Sequence, residues 1–296
     1  MRRVLTPEGL FIHDRWSGFC VFTPDVRSKR WIKPLYAQIA ITDYCPLGCP
    51  YCYASSSPKN SKFYPKAELL ELAKFLDSWG LLGIALGGGE PFTHPDLAEI
   101  ARRIWTETEL DLSITTNGLC LSERLLDALE GYVSEIRVSI HAYACLRALP
   151  KLAGRKFEVG ANILLFRNGA KKIEQIVKRC LEMGVRDFLI NSFLPIGRGA
   201  NYKHLEPQEE DYGQLAEVIR SFHGEAEFKV SGRLAEKLKP YGLRFMPFED
   251  EQKGRIIAIT VDGKIKPSSL SSEEYPFTKP EEIPQIYEKM INSSIP

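Results

Sequence analysis

Three cysteines, Cys45, Cys49 and Cys52, lie close together at C-x3-C-x2-C spacing in a segment that contains glycine and proline. Such a segment predicts a loop, in which three thiolates can converge on one inorganic centre. A structural zinc site normally needs a fourth Cys or His nearby, and the flanking sequence contains neither. A [4Fe–4S] cluster held by three cysteines leaves one iron open to an external ligand, so the spacing predicts a reactive centre.

A second motif, Leu-Gly-Gly-Gly-Glu-Pro at residues 86–91, directly follows a mainly apolar run at residues 81–85. Gly88 and Gly89 let the backbone approach a ligand closely because they have no side chain. Glu90 offers a carboxylate that can accept charge-assisted hydrogen bonds from an ammonium group. The alternative for Glu90 is an acidic residue at a helix N-terminus, where the helix dipole favours negative charge.

Together the two motifs resemble the signatures of the radical S-adenosylmethionine (SAM) superfamily. The resemblance implies a [4Fe–4S] cluster on the three cysteines and a bound SAM, with Tyr51 packed beside its adenine. It also implies that Gly88, Gly89 and Glu90 bind the methionine amino group. The activity implied is reductive cleavage of SAM to a 5′-deoxyadenosyl radical, which abstracts hydrogen from a substrate. An electron donor such as ferredoxin or flavodoxin would supply the electron.

The composition is that of a soluble globular protein. The chain has 296 residues, 44% of them hydrophobic, which is enough for one large domain and a small appendage. Its 39 basic and 38 acidic residues give a net charge of +1, so nucleic acid and anionic membranes are not expected partners. No secretory signal or membrane-length apolar run is found, and the seven cysteines suit a reducing cytosol. We therefore expect a cytoplasmic protein.

Strand patterns alternate with helix patterns over the first two thirds of the chain. A strand at 36–42 runs into the cysteine loop, and apolar spacing predicts a helix at 66–79 that Gly80 terminates. Alternating strands and helices predict a parallel sheet that binds ligands at the carboxyl ends of its strands. Six such units match the partial (β/α)6 barrel that the resemblance implies. The other predicted strands lie at 84–86, 111–116, 135–140, 157–166 and 187–191.

The chain divides into three predicted regions: an N-terminal β-like segment at 1–33, the barrel core at 34–200, and a C-terminal capping extension at 201–296. The extension begins with a polar linker at 201–211 and continues with a helix at 212–222. Its remainder favours short strands at 227–230, 255–261 and 264–266, the last two joined by the hairpin turn Asp262-Gly263.

This tail resembles the SPASM and twitch extensions of the superfamily, which carry extra clusters. Pro267-Ser268-Ser269 stands where those extensions often have Pro-Cys, and no cysteine follows Cys180. We therefore expect no second cluster. The tail is expected to cap the barrel mouth and to shape the substrate pocket.

Further candidates for the SAM site stand at the predicted strand ends or within the strands. Thr116 and Asn117 end the third strand and are similar to a Thr-Asn-Gly of relatives, although Asn117 also suits a turn. Ser139 ends the fourth strand, where the family often binds ribose. Asn162, on the fifth strand, would be a costly buried amide without a partner. Arg198 could bind the methionine carboxylate bidentately, or could be a surface arginine.

The roles of several residues stay open at this stage. His141 could be packed or face the substrate, and Cys120 and Cys145 follow strands at the active-site side. Cys20 lies in an aromatic strand-like segment at 16–22, and Cys180 on the apolar face of a helix predicts a core position.

The substrate is not defined by these patterns. Peptides or proteins, haem precursors and pterin-type cofactors are all compatible, with a slight preference for a peptide or protein. The competing hypothesis is a non-catalytic iron–sulfur or metal-binding electron carrier. A full α/β barrel is far more scaffold than such a carrier needs.

Overall fold

The computed structural model describes residues 2–6, 9–15, 19–24, 33–245 and 254–293. Three N-terminal strands, Arg2–Thr6 (β1), Gly9–Asp14 (β2) and Phe19–Pro24 (β3), form an antiparallel sheet in the order β1-β2-β3. β3 contains the last part of the predicted aromatic strand, whereas residues 16–18 of that prediction lie outside the described residues.

A ten-stranded sheet carries the rest of the fold. Its order is β10-β9-β8-β7-β6-β5-β4-β11-β12-β13, and the eight strands from β10 to β11 run parallel. The strands are Tyr36–Thr42 (β4), Gly83–Gly88 (β5), Asp111–Thr116 (β6), Glu135–Ser139 (β7), Glu158–Leu165 (β8), Asp187–Ser192 (β9), Glu227–Val230 (β10), Ile256–Ile259 (β11), Lys264–Lys266 (β12) and Tyr275–Pro276 (β13).

Helices follow the parallel strands and cover their outer face. They are Lys66–Trp79 (α1), Leu97–Glu107 (α2), Glu123–Leu129 (α3), Leu149–Leu152 (α4), Ala170–Glu182 (α5), Glu209–Ser221 (α6), Gly232–Leu238 (α7) and Ile283–Ser293 (α8). Short 3-10 helices lie at Pro91–Thr93, Tyr143–Ala148, Gly197–Leu205, Lys239–Tyr241 and Pro280–Glu282. The prediction of a mostly parallel, partial (β/α) barrel is confirmed.

The core lies between the sheet and these helices. Leu69, Leu72 and Leu76 of α1 are fully buried at the predicted helical spacing. Gly80 ends α1 in a left-handed conformation with φ of 96°, which a glycine adopts without strain. Ser122 accepts a hydrogen bond from the Leu125 N–H and caps α3.

The predicted linker at 201–211 is wrong in its details. Residues up to Leu205 form a 3-10 helix, and α6 begins at Glu209 rather than at residue 212. A capping box between Gln208 and Asp211 sets that earlier start, since each side chain accepts from the other residue's backbone N–H. The helices α7 and α8 also occupy parts of the tail in which only short strands were expected.

The strands of the tail extend the barrel sheet at both of its edges. β10 pairs in parallel with β9, and β11 pairs in parallel with β4. The predicted hairpin is confirmed: β11 and β12 are antiparallel, and Gly263 at the turn has φ of 70°. Because β11 runs parallel to β4, the hairpin turn lies at the carboxyl edge of the sheet.

The amino edge of the sheet contacts the N-terminal strands. His13 is fully buried, with Nε2 3.9 Å from Asp111 Oδ2. Arg15 donates to the carbonyls of Trp105 and Thr108 at 3.1 and 2.8 Å. Burial raises the pKa of Asp111 to about 6, although the Ser134 hydroxyl donates to its carboxylate and opposes the shift.

No helix within the described ranges is long and apolar enough to cross a membrane.

Candidate active site

The loop that carries the three cysteines is fixed on one side by the end of β5. The Gly89 N–H donates to the Thr42 carbonyl at 2.7 Å, and the Glu90 N–H donates to the Tyr44 carbonyl at 2.8 Å. A Cβ atom at position 89 would lie 2.0 Å from the Tyr44 oxygen, so a side chain there would displace the loop. Gly88 has φ of 103°, which explains a second glycine. The two sequence motifs are therefore in direct contact.

Arg198 fixes the cysteine loop on its other side. Its backbone N–H donates to the Cys52 carbonyl at 3.1 Å. Its guanidinium donates to the Cys49 carbonyl through Nε and Nη2 at 3.0 and 2.7 Å, and to the Ser56 carbonyl at 2.6 Å. In this arrangement Arg198 holds the loop backbone. A contact between Arg198 and the SAM carboxylate stays a prediction.

The three thiols of the loop are half-buried and influence one another. Burial raises the pKa of Cys45, and raises that of Cys49 to about 11, where the Cys45 and Cys52 thiols add to the shift. As the side chains stand, no group of three or more His, Cys, Asp or Glu in the described part of the chain could hold a metal ion. Binding a metal therefore requires at least one of the three thiols to turn, so that all three converge on one point.

The donor set nevertheless fits a three-cysteine cluster. All three thiols lie on one short loop whose backbone is hydrogen-bonded at both ends, so they start close together.

Glu90 is completely buried and joins the ends of two neighbouring strands. Its Oε1 accepts from the Phe92 N–H at 3.1 Å and from the Thr116 hydroxyl at 2.6 Å. Its Oε2 accepts from the Asn117 N–H at 2.7 Å. Burial raises the pKa of Glu90, and these hydrogen bonds oppose the rise. Glu90 also caps the short 3-10 helix Pro91–Thr93. Its carboxylate therefore also lies at a helix N-terminus, which was the alternative role considered for it.

Asn117 connects the hydrogen bonds of Glu90 to the cysteine loop. Its Nδ2 lies 3.6 Å from Cys45 Sγ, and its Oδ1 accepts from the Leu119 N–H at 2.9 Å. The structure therefore brings Cys45, Glu90 and Asn117 together, as the sequence motifs led us to expect.

Tyr51 extends across the mouth of the curved sheet from the cysteine loop. Its hydroxyl donates to the His141 carbonyl at 3.4 Å, next to the end of β7. Its ring lies 4.8 Å from the Phe166 ring, next to the end of β8, and 6.0 Å from the His141 ring. Burial raises the pKa of Tyr51 and lowers that of His141. Together these contacts place His141 at the site as a packing partner of Tyr51.

Ser139 and Asn162 are paired in register across β7 and β8. Asn162 Oδ1 accepts from Arg137 Nε at 2.8 Å, so its amide already has a partner. Arg137 is buried and also donates to Glu135 at 2.5 Å and to Asp187 at 2.9 Å. Sequence reasoning missed this ion network, although a charged residue between the apolar Ile136 and Val138 signalled it. SAM contacts by Ser139 and Asn162 stay predictions.

Two further cysteines border the site. Burial raises the pKa of Cys120, and Glu90 and Cys45 add to the rise, which places Cys120 near both. Cys145 is buried and contributes to the raised pKa of Cys49. Cys180 is buried on α5, in the predicted core position. Cys20 lies on β3.

Comparison with known protein families identifies the class of this fold. The model of the radical SAM superfamily matches residues 39–207, which is more than half of the chain. The chain belongs to the radical SAM superfamily. It is therefore an enzyme of a family whose cofactors are a [4Fe–4S] cluster and SAM, and the predicted class and cofactors are confirmed.

Among curated proteins, similar sequences include a probable GTP 3′,8-cyclase of Sulfurisphaera tokodaii. It is 26% identical over 251 residues, which cover 77% of this chain and 79% of the relative. A probable GTP 3′,8-cyclase of Metallosphaera sedula is 23% identical over 262 residues, covering 80% of this chain and 81% of the relative.

Solved structures share the fold at low sequence identity. Streptococcus suis SuiB bound to SAM has a TM-score of 0.65 and 16% identity, covering 82% of this chain and 63% of SuiB. This chain thus spans less than two thirds of the SuiB chain. The anSMEcpe protein with bound SAM and the Cp18Cys peptide has a TM-score of 0.64 and 16% identity, covering 88% and 81%.

Proposed function

We propose that Cys45, Cys49 and Cys52 hold the [4Fe–4S] cluster at which this enzyme cleaves SAM. The observation that carries the proposal is the hydrogen-bonded chain from Glu90 through Asn117 to Cys45 Sγ. It joins the two sequence motifs through a buried carboxylate. When bound, the cluster and SAM supply a 5′-deoxyadenosyl radical for hydrogen abstraction.

The SAM site is proposed to lie between the cysteine loop and the carboxyl ends of β5 to β9. Glu90 has four carboxylate lone pairs and accepts three hydrogen bonds, and we propose that the fourth lone pair accepts from the ligand ammonium once the residues that bury it move aside. Tyr51 carries an aromatic ring at the mouth of the sheet, and such a ring suits packing beside an adenine. The residues proposed to line the site are Tyr51, Gly88, Gly89, Glu90, Thr116, Asn117, Ser139, Asn162 and Arg198.

The rim pocket, a cavity of about 420 Å³ between residues 62–68 and the tail, is the proposed substrate site. Its apolar lining includes Phe63 and Phe277, and its charged lining includes Lys62, Glu68 and Asp262. Lys62 Nζ and Asp262 Oδ1 form an ion pair at 2.5 Å, which joins the core to the tail hairpin. A volume in this range holds a small ligand or a few side chains.

We favour a peptide or protein substrate. Apolar rings next to charges of both signs suit a peptide, whose side chains and backbone present the same mixture. A low-potential protein such as ferredoxin or flavodoxin is proposed as the electron donor.

A guanine nucleotide is the second candidate substrate, because the similar curated proteins are named probable GTP 3′,8-cyclases. The absence of any cysteine after Cys180 leaves the tail without thiol ligands for a further cluster. Any nucleotide would therefore be bound here without a cluster in the tail.

The experiment tests which substrate gives a hydrogen atom to the 5′-deoxyadenosyl radical. Reconstituted enzyme is incubated with SAM, dithionite and either a perdeuterated peptide library or perdeuterated GTP. Mass spectrometry of 5′-deoxyadenosine then reports deuterium transfer. Transfer from the peptides supports the proposal. Transfer from GTP alone would replace it with the nucleotide candidate, and a loaded enzyme that never cleaves SAM would favour an electron carrier.

A further inference from the structure

Asn117 is aimed at the cysteine loop by contacts on each of its polar groups. The residue is 5% exposed, and its side-chain Nδ2 lies 3.6 Å from Cys45 Sγ. A nitrogen–sulfur hydrogen bond is longer than a nitrogen–oxygen one, because sulfur is the larger atom. Asn117 therefore presents an N–H donor to one of the three proposed cluster ligands.

The orientation of this amide follows from the surrounding hydrogen bonds. The Leu119 N–H donates to Oδ1 at 2.9 Å. Rotating the amide by half a turn would place the Asn117 NH2 group against that N–H, and its oxygen against the sulfur. The favourable contact with the Leu119 N–H would become a donor–donor contact, so the NH2 group faces Cys45.

The backbone of Asn117 is fixed as firmly as its side chain. Its N–H donates to the fully buried carboxylate of Glu90 at 2.7 Å. The preceding Thr116 hydroxyl donates to the other oxygen of Glu90 at 2.6 Å and also accepts from the Gly118 N–H at 2.9 Å. The donor is therefore already in place before any cofactor binds.

We propose that Asn117 is a positioning residue that raises the reduction potential of the cluster by donating an N–H···S hydrogen bond to Cys45. The inference rests on the proposed cysteine ligation. One-electron reduction by a low-potential donor adds one negative charge, part of which falls on the ligand sulfurs. An N–H dipole directed at Cys45 stabilises that added charge, since hydrogen bonds to ligand sulfurs are among the factors that set cluster potentials.

The test is a redox titration of reconstituted protein without SAM, followed by electron paramagnetic resonance. Asn117→Leu removes the donor without adding a charge. Asn117→Asp keeps the shape and the acceptor for the Leu119 N–H but replaces the donor by an oxygen. Leu119→Ala is the matched control, because it changes the same loop and leaves the backbone N–H that holds Oδ1.

Both Asn117 variants should have a more negative midpoint potential than wild type, and Leu119→Ala should not. A tenfold lower ratio of reduced to oxidised cluster at fixed potential corresponds to 59 mV for a one-electron couple. The Asp variant should show the larger shift, because it also adds negative charge.

A variant at position 117 that loads the cluster and keeps the wild-type midpoint would overturn the proposal. Loss of the cluster from both variants would also overturn it, because Asn117 would then serve assembly rather than potential. Failure of wild-type protein to bind about four irons would instead refute the proposed ligation.

Discussion

The guanidinium of Arg198 donates to the backbone carbonyl of Cys49 through two nitrogens, Nε at 3.0 Å and Nη2 at 2.7 Å. The two residues stand 149 positions apart in the chain. This contact ties the loop after β9 to the loop after β4, so the cysteine loop spans the mouth of the curved sheet.

Arg198→Ala should make cluster loss faster. It removes hydrogen bonds from a charged donor to the carbonyls of Cys49 and Ser56, each contributing about 1.5–3 kcal/mol. Loss of even one corresponds to roughly a tenfold faster release of iron to a chelator. The measurement is the absorbance decay of reconstituted protein after chelator addition. Arg167→Ala, at an exposed arginine, is the control, and equal decay rates for wild type and Arg198→Ala would contradict the role of Arg198.

Glu90→Ala should weaken SAM binding by about 1.5–3 kcal/mol, the range for a hydrogen bond to a charged group. The loss has two sources: the proposed acceptor for the SAM ammonium disappears, and Asn117 loses the carboxylate that holds its backbone. Equilibrium dialysis with labelled SAM measures the affinity. Glu71→Ala, at an exposed glutamate of α1, should bind SAM like wild type. An unchanged affinity in Glu90→Ala would remove Glu90 from the SAM site.

Asp111 should make the cluster-free protein less stable as the pH rises. Burial raises its pKa from 3.8 to about 6, so the folded state binds the proton more tightly than the unfolded chain. The stability contributed by the protonated form is fully present below about pH 4 and is lost as the pH rises through about 6.

Asp111→Asn should therefore be more stable than wild type near pH 8, by up to roughly 3 kcal/mol at 1.36 kcal/mol per pKa unit. The difference in the free energy of unfolding should disappear near pH 4, since the neutral carboxyl and the amide are then alike. Urea unfolding across this range measures it, with the exposed Asp127→Asn as control. A difference that does not vary with pH would contradict the raised pKa.

Phe277→Ala should separate SAM cleavage from substrate turnover. Phe277 lines the rim pocket, and no residue that lines this pocket is a cluster cysteine or a proposed SAM-site residue, so 5′-deoxyadenosine should still form. Deuterium transfer from the peptide library should fall severalfold, because the pocket loses an apolar wall. Tyr143→Ala, at an exposed aromatic residue that contacts α5, is the matched control. Unchanged deuterium transfer in Phe277→Ala would show that the rim pocket does not bind the substrate.

Local patterns in the sequence were sufficient to predict much of the barrel. Helix α1 was predicted at its observed bounds because its apolar spacing and its glycine end are both short-range signals. The hairpin at Gly263 was predicted for the same reason. The parallel pairing of β11 with β4 was not, because a short apolar run does not show which distant strand it joins.

The candidate site was also predicted only in part: its residues were identified, but some of their contacts were not. Cys45 and Glu90 were identified from their motifs, and Asn117 from its strand-end position and its likeness to a Thr-Asn-Gly of relatives; the structure brings the three together. The bonds of Arg198 to the loop could not be predicted, since its partners are backbone carbonyls that every residue has. Arg137, the partner of Asn162, was also missed, because strand periodicity shows which residues share a face of the sheet but not which side chains they contact.

The most direct test of the account is the formation of 5′-deoxyadenosine from SAM by anaerobically reconstituted protein with dithionite. Wild type, loaded with about four irons per chain, should form it together with methionine. The variant with Cys45, Cys49 and Cys52 all changed to alanine should form none, whereas Cys180→Ala, at a buried core thiol, should retain the activity if it folds and loads. Continued formation of 5′-deoxyadenosine by the triple variant, or none from fully loaded wild type, would contradict the proposed site.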